Sequence, residues 1–390
     1  MPKPDEALPD ISIADVDRSV STAIHEKLFS AAACMASVQG EIFHRKVYGC
    51  LETPPPMKKV QEGVLFDLAS LSKPLGVGLA VLWLAGRGRI DLQAPIGRVL
   101  REFDSPKFKD ITIDMLLDHT SGWPADVSFW DCTENASNKE DAMRAHIASL
   151  ELLATPGTQT LYSDVGFIVL GWIVETVVGK PLDVFLEREI YKPLGVADDL
   201  FFIRHEDFKT PRKLGRRQIV ATEDCPIRKK RIVAEVHDPK AWLLGGVAGH
   251  AGLFGTVEAV WKLVEMLRLC YRGDEQFFHP GTVRKFFTRS GRLKGTTRTL
   301  AWDTPSAKGT LAGDRASKSS VGHLGFTGTS VWLDLSLEAT TVVLSNVVHP
   351  SPDEKKPRMQ KFRRKVQDYF WMEAELLVSK NEKGKGSKAF

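Results

Sequence analysis

Apolar positions along this chain change period several times, and each change marks an element. Ile13, Val16, Val20 and Ile24 recur at helical steps behind a capping-box pair, Ser12 and Asp15, which predicts a first helix to about Leu28. Residues 31–38 and 41–48 read as two strands joined at Gln39–Gly40, an antiparallel hairpin. LETPPPMKK is a loop, and Val64–Asp67 is a short strand feeding a segment that starts at Ser70. Helical patterns then dominate: Thr112–Asp118, Lys139–Leu153, Asp164–Val178 with Gly179 as its C-cap, and Pro181–Ile190 with proline in a first-turn position. Residues 203–238 are basic and loop-like, and Thr256–Tyr271 is another amphipathic helix. Strands return at Ser330–Leu335 and Thr340–Ser345, and a long helix follows over about Pro357–Leu377.

The ends therefore supply strands and helices and the middle supplies helices. That order predicts an α/β chain of the α+β type: an antiparallel sheet built from both termini, flanking helices, and an all-α part beside it. A single catalytic domain is expected over 10–378. Its sheet part is 10–66 and 256–378, its helical part is 67–255, and a disordered basic tail covers 379–390. Ligands are expected in the cleft between the two parts.

Composition narrows the class. Of 390 residues, 43% are hydrophobic and 26% charged, which suits a globular protein with a sizeable core. The longest apolar stretches, such as Val165–Val178, are too short to span a bilayer. The opening MPKPDEALPD has no apolar signal region, and the five cysteines are scattered and odd in number. A reduced, cytoplasmic chain is expected. The net charge of +4 clusters at 212–217, 228–231 and 355–365 and in the tail. No nucleic-acid recognition motif accompanies it, so solvated loops and a helix face are the simpler reading.

Candidate chemistry begins at FDLASLSKPLG. On a helix, Ser70 and Lys73 share a face, so the ammonium reaches the hydroxyl. A serine hydroxyl needs such a partner to become a nucleophile, and a helix N-terminus offers N–H groups to a developing oxyanion. Pro74 fits a first turn, and Gly76 and Gly78 allow close packing. A capped helix with an exposed lysine has the same pattern. In TLYSDVGFIVLGWIV, Tyr162 stands before an apolar helix with Asp164 two residues on. A phenol beside a lysine cation serves as a general base, and a core tyrosine has the same pattern. In VGHLGFTGTSVWLDL, His323, Leu324 and Gly325 precede a strand whose small residues let a substrate backbone lie along an edge.

These three elements together resemble the serine β-lactamase and penicillin-binding protein superfamily, whose motifs S-x-x-K, Y-x-N and K-T-G or H-x-G occur in this order. The chain is most similar to the class C β-lactamase-like branch, with its family VIII esterase and D-aminopeptidase relatives. LLDHTSGWP at 116–124, VHDPKAWLLGGVAGHAGLFGT at 236–256 and LSNVVHP at 344–350 strengthen the likeness. The resemblance implies Ser70 as acylated nucleophile, Lys73 as proton relay and Tyr162 as general base. It also implies the backbone N–H groups of Ser70 and Phe326 as oxyanion hole, and Asp164, His323 and Gly325 as substrate-binding positions. Two departures stand out. The Y-x-N position ends in Asp164, which either pairs with Lys73 or meets a cation on the substrate. The third motif has His323 for lysine and Leu324 for threonine, and a largely neutral histidine is a weaker carboxylate anchor.

The expected activity is a serine hydrolase acting on a small-molecule ester, amide or lactam through an acyl-enzyme. Acyl transfer, weak β-lactamase or DD-peptidase-like activity, and non-catalytic binding remain as alternatives. No G-x-S-x-G, H-E-x-x-H or phosphate-loop motif occurs, and no cofactor or metal is expected. His250 in AGHAG reads as structural, and the glycines from 245 to 255 as a tight turn near the cleft.

Overall fold

Strand β1 (Ala31–Val38) is buried along its whole length because both faces of the sheet are covered. Side chains alternate across a strand, and here the alternation feeds two cores. Ala32, Cys34 and Ala36 face Val16 and Val20 of the helix Ala14–His25 and Phe362, Val366 and Phe370 of the helix Lys356–Gly386. Ala31, Ala33 and Met35 face the main core, with Leu263, Val264 and Leu267 of the helix Val257–Arg272. Small residues on β1 let both helical layers approach, and each large apolar side chain they bury contributes roughly 1.5–3 kcal/mol.

The computed structural model of the chain describes residues 13–53, 57–205, 214, 215, 217–352 and 354–386. Ser12 of the expected capping box and residues 387–390 of the tail lie outside these. Strand β2 (Glu41–Gly49) forms the expected hairpin with β1 through Gln39 and Gly40, both at positive φ. Strands β3 to β7 are short: Phe66–Asp67, Leu200–Phe202, Glu223–Cys225, Lys230–Ile232 and Leu253–Gly255. Strands β8 (Val321–Leu324), β9 (Ser330–Asp334) and β10 (Ala339–Ser345) complete a five-stranded sheet of order β2-β1-β10-β9-β8. Its pairings are antiparallel, with Ala32 opposite Ser345, Thr340 opposite Leu333 and His323 opposite Val331.

Several expectations need correction. The first helix ends at His25, because Lys27 turns to φ 57°. The third ends at Ser149, where Leu150 becomes extended. His323 and Leu324 do not merely precede a strand; they belong to β8, the edge of the sheet. The region 67–255 is not purely helical: β3, β7 and β4 form a second sheet, and β5 and β6 form a hairpin within the basic stretch. That hairpin escapes a periodicity reading because only Cys225 and Ile232 are buried on it, while its other positions carry charges such as the Asp224–Arg231 pair. The last helix runs to Gly386, so 379–386 is helical rather than disordered.

The helix Asp164–Val178 matches its expected span, and Gly179 caps it at φ 66°. Val165 to Val174 are all buried, as a helix apolar on every side must be. Among the described residues, no single helix is long and apolar enough to cross a membrane. The five cysteines are free.

Candidate active site

Ser70 sits at a break in the backbone. Strand β3 ends at Asp67, and Ala69 takes φ 48°, a conformation that costs an alanine about 1–2 kcal/mol. The buried Asp67 carboxylate fixes this turn by accepting the N–H of Ala69 at 2.8 Å and that of His237 at 2.7 Å. A single 3₁₀ turn, Ala69–Leu71, carries Ser70. A π-helical turn, Lys73–Val77, follows before the α-helix Gly78–Ala85. The wide turn accepts Pro74 at its start, and π turns are frequent at functional sites. A Cβ at Gly78 would stand 2.6 Å from Ala301 Cβ, so close packing is obligatory there. Gly76 meets Phe202 at an ordinary 3.6 Å, and the expectation of close packing fails at that position. Ser72 is structural: its hydroxyl accepts the Leu253 N–H at 3.0 Å.

Lys73 is completely buried, and polar groups of Ser70, His250, Asp164 and Tyr162 surround its ammonium. It donates to Ser70 Oγ at 3.2 Å and to the His250 carbonyl at 3.3 Å, and it pairs with Asp164 Oδ1 at 2.7 Å. It also lies 4.9 Å from the centre of the Tyr162 ring. Burial disfavours the charge, but Asp164 and Tyr162 outweigh it and hold the Lys73 pKa above its ordinary value. Asp164 shows the reciprocal effect: burial opposes it, yet Lys73, His250 and Lys240 pull its carboxyl down to about 2. The pair is therefore ionic.

Asp164 belongs to a longer chain of charges. Lys240 reaches Asp126 at 2.7 Å, Asp164 Oδ2 at 3.2 Å and Asp238 at 3.4 Å. Asp238 caps the helix Pro239–Leu243 and accepts from His250 Nε2 at 2.8 Å. Asp164, Asp238 and His250 offer ligand atoms within 4.8 Å of one another. Two lysine ammoniums already neutralise these carboxylates, and a divalent cation there would face both, so the cluster suits a charge network and not a metal. Both oxygens of Asp164 are engaged, which favours its expected pairing with Lys73 over contact with a substrate cation.

Tyr162 is held from two sides. The His119 ring packs on it at 4.4 Å, and the Arg298 guanidinium lies 5.1 Å from its centre. His119 has φ 62°, accepts the Ser163 N–H on Nδ1 at 3.0 Å, and accepts the Leu161 N–H on its carbonyl at 2.8 Å. That bond fixes the neutral tautomer with its proton on Nε2. Burial first, then Arg298 and Lys73, keep the His119 pKa well below the ordinary histidine range. His119 carries no task in the three motifs, and its signal in the sequence is the histidine itself within LLDHTSGWP.

Across from Ser70 lies the turn after β8. Thr327 Oγ1 donates to Asp67 O at 2.8 Å and Thr329 Oγ1 to Leu68 O at 3.0 Å, so two hydroxyls staple this turn to the residues just before Ser70. A Cβ on Gly325 would fall 2.7 Å from Leu68 O, which is why only glycine fits. Half-buried Arg363 braces the turn, donating to Gly325 O at 2.7 Å and Thr329 O at 2.9 Å. This arrangement brings the Phe326 backbone to the Ser70 side of the cleft, while its ring is exposed and stacks on His237 at 5.6 Å. His323 is buried, and its ring lies 6.1 Å from that of Tyr162. Its Nδ1 bonds Leu324 O at 2.9 Å, leaving Nε2 as a buried acceptor without a partner. Burial, Lys73 and Arg298 hold its pKa well below the ordinary range. A neutral acceptor repels a carboxylate, so this position does not suit the anchoring expected of it.

The structure thus brings Ser70, Lys73, Tyr162, Asp164, His323 and the turn of Gly325 and Phe326 into one neighbourhood. A separate cavity of about 820 Å³, lined by Trp172, Glu175, Arg204 and Gly249 among others, contains none of them.

The family model described as Beta-lactamase matches residues 16–363. A protein of Escherichia coli named as a D-alanyl-D-alanine carboxypeptidase is 32% identical over 380 residues, covering 88% of this chain and 85% of that relative. An N-acetylmuramyl-L-alanine amidase of Bacillus subtilis is 30% identical over 349 residues, covering 82% and 78%. Among solved structures, EstCE1, a hydrolase with promiscuous acyltransferase activity, superposes with a TM-score of 0.70 at 20% identity, covering 92% of this chain and all of that one. A class C β-lactamase gives 0.70 at 16% identity, covering 90% and 94%.

Proposed function

The chain belongs to the beta-lactamase family of serine hydrolases, and on that premise we propose that it cleaves a peptide-type amide through an acyl-enzyme on Ser70. The observation that carries this reading is the buried Lys73 ammonium, held at once by Ser70 Oγ, Asp164 and the His250 carbonyl. An ammonium kept charged has no lone pair to accept a proton. The Ser70 proton therefore passes to the Tyr162 oxygen, which accepts it as a phenolate and becomes the neutral phenol, with Lys73 holding the hydroxyl and supplying the positive field. The Ser70 oxygen attacks the carbonyl carbon, and the C=O π electrons move to the oxygen facing the Ser70 and Phe326 N–H groups. Collapse breaks the C–N bond, and Tyr162 returns its proton to the leaving amine. Water then repeats the sequence on the ester: Tyr162 takes its proton, and Ser70 leaves as the alcohol.

Relatives at 30% and 32% identity are named for a muramyl-alanine amide and a D-alanyl peptide bond, which favours amides of that size over larger acyl groups. Labelling with a fluorophosphonate, read by intact mass, tests the nucleophile. Wild type takes one label, Ser70→Ala takes none, and Ser72→Ala is labelled at Ser70. A label mapping to Ser72 or Ser121 overturns the assignment. Release of alanine from an N-acylated D-alanyl-D-alanine peptide tests the substrate class.

A further inference from the structure

The third motif lacks its lysine, and the structure places another cation beside Tyr162. We propose that Arg298, outside all three motifs, is the residue that binds an anionic carboxylate on the substrate, and that His323 does not. The inference rests on the acyl-enzyme reading above for the position of the scissile bond.

Four observations support it. First, the Arg298 guanidinium lies 5.1 Å from the centre of the Tyr162 ring, next to the proposed proton acceptor. Second, its pairing is partial. One nitrogen approaches Asp303 at 3.3 Å, and among the described residues no other acidic partner is recorded. A guanidinium has five N–H donors, so most of its fork remains for a planar carboxylate. Third, it opens onto a hollow of about 520 Å³ whose lining includes Thr158, Gln159, Thr160, Lys294 and Thr296 and contains no acidic side chain. Lys294 is exposed. The hollow therefore offers hydroxyl and amide donors and two cations. Fourth, the segment is built to stay in place. Ser290 N–H donates to Arg298 O at 3.0 Å, and Arg292 pairs with Asp114 at 2.6 Å and Asp118 at 3.2 Å. The bridges Arg298–Asp303 and Asp303–Gly322 then continue the ladder of β8 outward.

His323 offers the opposite chemistry. Its unpartnered Nε2 is an acceptor, fit for an N–H or O–H of the substrate and unfit for a carboxylate. One side of the Tyr162 ring thus faces a donor-seeking histidine, and the guanidinium faces the anion. A substrate with a free carboxylate near the scissile amide matches both.

The test separates binding from turnover. In a Ser70→Ala background, calorimetry measures N-acetyl-D-alanyl-D-alanine against its C-terminal carboxamide. The carboxylate is expected to bind on the order of 10–100-fold more tightly, as a charge-assisted pair would give. Arg298→Gln should reduce that ratio to about 2-fold or less, and Arg298→Lys should restore part of it. With Ser70 present, Arg298→Gln should lower kcat/KM for the carboxylate peptide about 10-fold more than for the carboxamide. Fluorophosphonate should still label Ser70 in this variant, so the nucleophile is intact and the comparison reads substrate preference. Equal losses on both peptides would mean that Arg298 only steadies Tyr162, and would overturn the proposal. So would binding of the carboxylate no tighter than the carboxamide, or no measurable binding of either. Failure of Ser70 to label in wild type instead overturns the acyl-enzyme reading, and the calorimetric ratio still decides this one.

Discussion

Among the described residues Asp164 is the one carboxylate that pairs with Lys73, and Asp164→Asn removes it while keeping shape and one hydrogen-bonding oxygen. Lys73 is fully buried, and Ser70 Oγ at 3.2 Å and the His250 carbonyl at 3.3 Å, which stay beside it with Tyr162, supply no carboxylate. The Asp164 carboxyl falls from 3.8 to about 2 on folding, and at about 1.4 kcal/mol per unit this is on the order of 2 kcal/mol. Breaking a buried pair while leaving one charge behind costs roughly 3–5 kcal/mol. Asparagine and partial deprotonation of Lys73 relieve some of that, so a loss of about 2–4 kcal/mol is expected in urea unfolding at neutral pH. The sign of the pH dependence follows from the depressed carboxyl. Its contribution is fully present above about pH 4 and is lost as pH falls toward 2. The wild-type advantage over Asp164→Asn should therefore shrink across that window. A difference that stays constant down to about pH 2, or one below about 0.5 kcal/mol at neutral pH, would refute the view that this pair is ionic and stabilising.

Tyr162→Phe should lower kcat on the order of 10²–10⁴-fold, the range for losing a general base, and Lys73→Ala added to it should cost little more, since the two act as one relay; stopped-flow acylation rates showing fully additive losses would count against the relay. Asp164→Asn should be milder in kcat than Tyr162→Phe. His323→Lys should lower the urea midpoint, because the new ammonium would be buried facing Lys73 and Arg298, and should leave the carboxylate preference unchanged; a gain in that preference would restore the third motif to the task. Arg363→Met should lower kcat more than it raises KM, because the Gly325 and Thr329 carbonyls lose their shared donor and the turn carrying Phe326 loosens; an unchanged kcat would mean that the threonine staples suffice.

Much of the architecture is legible in period alone. The hairpin 31–49 and the helix 164–178 read clearly because each has a strong local pattern and a turn or cap of the right residue. The short strands at 200–202, 223–232 and 253–255 do not, since three residues hold too little of any period and their burial comes from distant partners. The site divides in the same way. Ser70, Lys73 and Tyr162 announce themselves by spacing and order. His119, Lys240 and Arg298 act through contacts that span long stretches of chain, so no window around them carries the signal. His323 misleads in a particular way. The motif position is right, and only the burial and the bond to Leu324 O reveal which nitrogen is left free and what it can accept.

The two threonine staples join segments 260 and 261 residues apart, Thr327 to Asp67 and Thr329 to Leu68. The consequence concerns biosynthesis. A chain emerging from the ribosome presents Ser70, Lys73 and Tyr162 long before the turn that faces them exists. Strands β9 and β10 must also be made before that turn has a sheet to rest on. A nascent or truncated chain that stops before residue 330 would hold a serine with no place prepared for the oxyanion. The turn opposite Ser70 is thus one of the last parts of the site to be made.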